Sequence, residues 1–246
     1  MFFSKIGEYE ASGIYSLGHL CLFIITIIAI SIALIISIKK HVDVKKVIKN
    51  VTMTMLILEL TTILFKIIQY GCDDIGSFSP IYYCSAFLFA GALSSCAKGN
   101  LKRVGDVFLA TGGIVGGITF LLFPTTSLPD YPAFHFISIH SFIFHGSMIY
   151  LGLLIYITNY IQLELKDLIY HAYIISTLCL ISLIMNSIFN TNFMFISKDF
   201  PGTFVGFLYQ TTGALFTPIA VISQIIIPFF MVYLVTLFIK QLKPIK

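Results

Sequence analysis

One thiol and a handful of costly polar side chains share a depth in an otherwise apolar chain. Cys84 lies four residues after Pro80, in the stretch Phe78-Ser79-Pro80-Ile81-Tyr82-Tyr83-Cys84-Ser85. That stretch reads as the outer end of a membrane helix begun at a proline, with the sulfur about six residues in. His145 falls at a similar depth in a later apolar run, given a rise of about 1.5 Å per residue. Lys66 comes near the outer end of its run, with Glu59 two turns deeper. Asn186 lies one turn from the end of another run, and Asn190 and Asn192 follow it. Ionisable groups inside membrane spans are expensive and mark function by default. A thiol and an imidazole at one level are the minimum parts of an activated nucleophile: the ring removes the proton and leaves the reactive thiolate.

Each residue also has a packing explanation. A free cysteine is usually a small buried hydrophobe. His145 and Asn186 can tie helices together, and Lys66 can snorkel to the surface. The shared depth and the facing stripes favour chemistry. Cys84, Phe87, Leu88, Gly91 and Ser95 share one helical face, and Ser138, Ser141, His145 and Gly152 share another. His135, His140 and His145 raise a metal alternative. Their spacing of five turns successive rings away from one face, unlike the i, i+4 spacing of zinc helices, so no metal is expected. His19, His41 and His171 fall near run ends and are expected to be solvated.

The elements that must carry these residues are legible from composition. Of 246 residues, 58% are hydrophobic and 11% charged, where a soluble domain carries about 25% charged; the mean hydropathy is +0.96. Lipid is the expected solvent. The first 13 residues hold Glu8 and Glu10 and no signal-peptide core. Five cysteines, mostly within apolar runs, do not form a disulfide framework. No nucleotide-binding motif is present, and the net charge of +4 lies on short loops, so neither a soluble cofactor nor a nucleic-acid partner is expected.

The apolar runs give an all-α, polytopic membrane protein: a single domain, residues 1–246, with seven transmembrane helices over about 15–38, 47–70, 78–97, 104–123, 134–158, 168–189 and 216–239. An acidic turn, Cys72-Asp73-Asp74, follows the second. Gly112, Gly113, Gly116 and Gly117 are read as a close-packing surface in the fourth. Before the seventh, a partly inserted piece extends to about Leu215. The loops after spans 1, 3 and 5 and the C-terminal tail hold twelve Lys and Arg, against two on the other side. By the positive-inside rule the N-terminus is outside and the C-terminus in the cytoplasm of a multi-pass cell-membrane protein.

The residues resemble a known family. Pro80-x-x-x-Cys84, the glycine-rich fourth run followed by Pro124 and Pro132, the pair His145-Gly146, Asn186, and Asn190-Thr191-Asn192-Phe193-Met194-Phe195 are similar to motifs of the YwaF-type bacterial integral membrane proteins, which are related to transmembrane protein 164. This sequence has Asn190 and Phe193 where the family signature has glycine and tyrosine, and Tyr82 where relatives often carry His or Gln. The resemblance implies seven spans and a phospholipid acyl transfer through a cysteinyl thioester. Cys84 would be the nucleophile and His145 its base. Asn192 and Asn186 would position groups or donate hydrogen bonds. Apart from the resemblance, Glu59, Tyr82 and His140 are further candidates for binding or positioning substrate. One oxyanion donor, Asn192 or a backbone N–H, contributes about 3 kcal/mol. The expected function is a membrane-embedded lipid acyltransferase or transacylase near the outer leaflet, acting on phospholipid or lysophospholipid. The alternatives are a heptahelical receptor or transporter-like binding protein, and a metal-dependent lipid hydrolase.

Overall fold

The computed structural model describes residues 1–72 and 75–242, without the side chains of Ser77 and Leu242. Asp73 and Asp74 of the expected acidic turn, and the tail lysines Lys243 and Lys246, lie outside the described residues. No strand occurs among the described residues. Among the described residues, six helices are long and apolar enough to cross a membrane.

Local chemistry sets the helix ends. Helix α1 (Leu17–Lys39) starts at Ser16, whose hydroxyl accepts from the His19 N–H, a cap that satisfies one of the free first-turn donors. Asp43 does the same for α2 (Val44–Tyr70) by accepting from the Lys46 N–H. Gly71 ends α2 at a φ of 82°, a region that glycine enters without steric cost.

The third apolar run departs from expectation. Its helix was expected to begin near Phe78. Instead a single turn (Ile75–Phe78) is followed by irregular backbone, and α3 covers only Ala86–Cys96. Pro80 disfavours a helical conformation at Ser79 and brings no N–H of its own. Eleven helical residues rise about 16 Å, roughly half of a hydrocarbon core. Residues 79–85 precede α3 as hydrogen-bonded turns and are partly buried against the protein; irregular backbone is tolerated at membrane depth only where protein or a water-filled cavity covers it.

Helix α4 (Gly99–Leu122) contains one wide π-turn, Leu109–Gly113. Helix α5 (Phe136–Ile157) follows the proline-broken loop. Helix α6 (Leu168–Phe189) ends at Asn190 in the left-handed conformation. The short α7 (Phe204–Thr212) leads into α8 (Phe216–Leu242), which runs through Pro228.

Helices α4 and α5 form the centre. Phe87, Phe108, Leu109, Met148, Leu151 and Leu154 are completely buried there. Glycines set the spacing. A Cβ on Gly117 would lie 2.7 Å from the His145 carbonyl, and one on Gly152 would lie 2.8 Å from the Leu109 carbonyl, so α4 and α5 touch through their backbones. Gly105 lies against the backbone of α3 at Ala90 and Ser94, and Gly91 against Thr52 of α2. Around this centre α1, α2, α6 and α8 expose rows of Ile and Leu, among them Leu17, Ile25, Ile57, Ile68, Ile169, Ile188 and Leu234. Apolar exposure on this scale suits lipid and not water.

Candidate functional site

Cys84 occupies the last turn before α3, where the Phe87 N–H donates to its carbonyl at 3.0 Å. The thiol is half-buried and free. The Ser85 N–H donates to the Tyr82 carbonyl at 3.0 Å and closes the turn that carries the thiol, and the Glu59 carboxylate of α2 acts on the sulfur electrostatically.

Glu59 is the hub of this region. Its Oε2 is 3.5 Å from Nε2 of His140 on α5, and Lys66, two turns along α2, acts on the same carboxylate. His140 is buried, and its ring lies between Phe136 and Phe144. Its Nε2 makes no regular hydrogen bond, so the Glu59 contact is a loose ion-pair distance that a substrate or a small shift can tighten. Glu59 on α2 thus meets His140 of α5, and its charge reaches the thiol in the pre-α3 turn.

His145 faces a different neighbour. Turned away from His140 by its spacing of five, its ring stacks on Phe120 of α4 at 3.7 Å between centroids. Its Nδ1–H donates to the Ser141 carbonyl at 2.7 Å. That bond fixes the tautomer and leaves Nε2 with the lone pair of a base. His135 is elsewhere again: its Nε2–H donates to the Ser4 carbonyl and its Nδ1 accepts from the Ile137 N–H, capping α5. The three histidines therefore have separate partners, and no group of three His, Cys, Asp or Glu among the described residues is arranged to hold a metal ion.

The asparagines organise a loop. Asn186 Oδ1 accepts from the Phe193 N–H at 2.7 Å and from the Thr191 hydroxyl at 2.9 Å, while its Nδ2 donates to the Phe193 carbonyl and to Ser197. Both of its amide hydrogens are occupied. Asn192 Oδ1 accepts from the N–H groups of Ser197 and Lys198, and its Nδ2 donates to the Lys198 carbonyl. Together they hold Met194 and Phe195 at φ values of 56° and 52°, rare for side chains of that size. Tyr82 connects this loop to the thiol. Its ring packs on Phe193 and Phe195 at 5.5 and 5.4 Å, and its hydroxyl donates to the Gly76 carbonyl.

Two expectations are corrected. His19 and His171 are buried, not solvated. His19 Nε2 lies 2.8 Å from the Leu121 carbonyl, and His171 is enclosed between α4, α6 and α8. His41 is exposed. Sequence reasoning also missed two buried acids. Asp167 takes a two-point ion pair from Arg103, and Asp106 accepts from Lys102 and Ser94. The Lys102-to-Asp106 spacing of four was the available signal for the second.

A family model described as the TMEM164 family matches residues 14–239. The chain belongs to the TMEM164 family. Every candidate residue named above lies inside the matched region, from Glu59 to Asn192. In this TMEM164-family chain the match begins just before α1 and ends within α8, so the first 13 residues precede it. No curated protein and no solved structure matches the chain.

Proposed function

We propose that the protein transfers a fatty acyl group between membrane lipids through a thioester on Cys84. The observation that supports this most is a half-buried thiol in the pre-α3 turn, within electrostatic reach of a Glu59 carboxylate that meets the buried imidazole of His140. A donor-lipid ester approaches the turn from the bilayer. His140 accepts the thiol proton, the sulfur attacks the ester carbonyl, and the proton passes to the departing lipid alkoxide. The acceptor hydroxyl then attacks the thioester carbonyl, releases the thiolate and restores the thiol. Glu59 orients His140 and stabilises its charged form, and Lys66 tempers the carboxylate. The Cys84 backbone N–H and the remaining amide hydrogen of Asn192 are the donors offered to the oxyanion. Tyr82 and Asn186 fix the position of the turn and the loop.

His145 is the second candidate for the base. Its Nδ1–H bond to Ser141 presents Nε2 as a lone pair, which is the form a base needs. Variants separate the two. With labelled phospholipid and a lysophospholipid acceptor, Cys84→Ala abolishes transfer and His140→Gln lowers it by a factor of about 10²–10⁴. Loss on His145→Gln with retention on His140→Gln moves the base to His145. Full transfer by Cys84→Ala removes the proposal.

A further inference from the structure

A second polar cluster lies on the opposite flank of the Tyr83-Cys84 turn, against the π-turn of α4. His171 and Thr111 are completely buried there. The Thr111 hydroxyl lies 2.6 Å from the Val107 carbonyl and 2.9 Å from His171 Nδ1. Its single proton goes to the closer carbonyl, so Nδ1 carries a hydrogen and donates it to Thr111. Nε2 is then a bare lone pair, yet it faces the Gln224 carbonyl oxygen at 3.4 Å. Two acceptors confront each other with no hydrogen between them.

Tyr83 supplies the missing donor. Its Oη is buried and has no hydrogen-bond partner. A Cβ built on Gly112 would lie 2.6 Å from that oxygen and 2.9 Å from His171 Cε1, so the phenol and the imidazole border the same glycine. Phe108 stacks on the His171 ring and closes one side. Gln224 Oε1 is a further buried acceptor without a partner. Donor and acceptors thus approach one another without meeting, an arrangement that one bridging oxygen completes. A π-turn in an α-helix often marks a functional site.

We propose that Tyr83, His171 and Gln224 form an internal binding site for a hydroxyl group. The hydroxyl oxygen accepts from Tyr83 Oη–H and its hydrogen goes to His171 Nε2. A hydroxyl both accepts and donates through one atom, which neither an ion nor an apolar group does. Water and the free alcohol of a lysolipid both offer it. This site stands whether or not Cys84 carries an acyl group.

Tyr83→Phe removes only the phenolic oxygen. If that oxygen truly lacked a partner, its removal would leave stability unchanged or raise it. The test measures Tm for wild type and Tyr83→Phe in lipid nanodiscs. The additions are nothing, a lysophospholipid, or the same lysophospholipid with its free hydroxyl methylated. A Tm for Tyr83→Phe lower by roughly 2–4 °C, whatever is added, establishes bound water. A rise in wild type with the lysophospholipid, absent with its methyl ether and absent in Tyr83→Phe, establishes the lipid alcohol. Equal or higher Tm for Tyr83→Phe, with no response that depends on the hydroxyl, overturns the site.

Discussion

His135 shows how a single side chain can make the fold sensitive to pH. It lies just outside α5, and burial holds its imidazole below the ordinary histidine range. Both ring nitrogens are occupied in the neutral form, one donating to Ser4 and one accepting from Ile137. The unfolded chain binds a proton more readily than the folded one. Stability is therefore full above the ordinary histidine pKa of about 6.5 and falls as the pH drops below it. Protonation at Nδ1 forfeits the α5 cap and loosens the N-terminal strap, where Phe2 and Phe3 pack on Phe65, Phe134 and Phe136. Limited proteolysis of residues 1–13 should quicken between pH 7 and pH 5 in wild type. His135→Asn, which retains an N-cap acceptor, should flatten that dependence; an unchanged profile assigns it to another group. Asp167 is a second residue-scale test. It is fully buried under Arg103, so Asp167→Ala leaves an uncompensated guanidinium. The expected loss is about 3–5 kcal/mol, read as a large fall in Tm.

At the scale of elements, glycine placement decides which helices can meet. The α3 backbone lies against Gly105 at Ala90 and Ser94. Gly105→Val should therefore force α3 off α4 and displace the turn that carries Cys84. Reduced yield of folded protein, with greater labelling of Cys84 by a thiol reagent, would show it. Wild-type labelling would contradict the packing. The loop after α6 depends on Asn186 in the same way. Asn186→Ala strands the Phe193 N–H and carbonyl, at a loss on the order of 1–3 kcal/mol for each buried group left unsatisfied, and should leave Tyr82 without its aromatic seat. Much of this level was legible in advance. The clustered glycines of α4 announced close packing because small residues are what backbones need to touch. The short α3 was less legible: hydropathy averages over Ser79 to Ser85 and does not register that the backbone there is turned. The His140–Glu59 pairing was also hidden. Residues 59 and 140 are joined only by the tertiary packing of α2 and α5, and helical spacing within one segment says nothing about which ring faces which neighbour.

At the scale of the whole molecule, an apolar shell of α1, α2, α6 and α8 surrounds a dense α4–α5 centre. Composition made the membrane class plain, because 11% charged residues cannot coat a water-soluble surface. The direction of insertion rests on the distribution of lysines, and seven crossings require residues 79–96 to complete one with only eleven helical residues. A protease-sensitive tag at the C-terminus should be protected in sealed, right-side-out vesicles, while one at the N-terminus should be cleaved. Cleavage of both would mean an even number of crossings and would remove residues 79–96 as a span. The central chemical claim is tested most directly by the mass of the protein itself. Incubation with a phospholipid donor in the absence of acceptor, followed by peptide mass mapping, should find one acyl group on the peptide bearing Cys84, removed by neutral hydroxylamine. An unmodified Cys84 in protein that still transfers acyl groups would contradict the account.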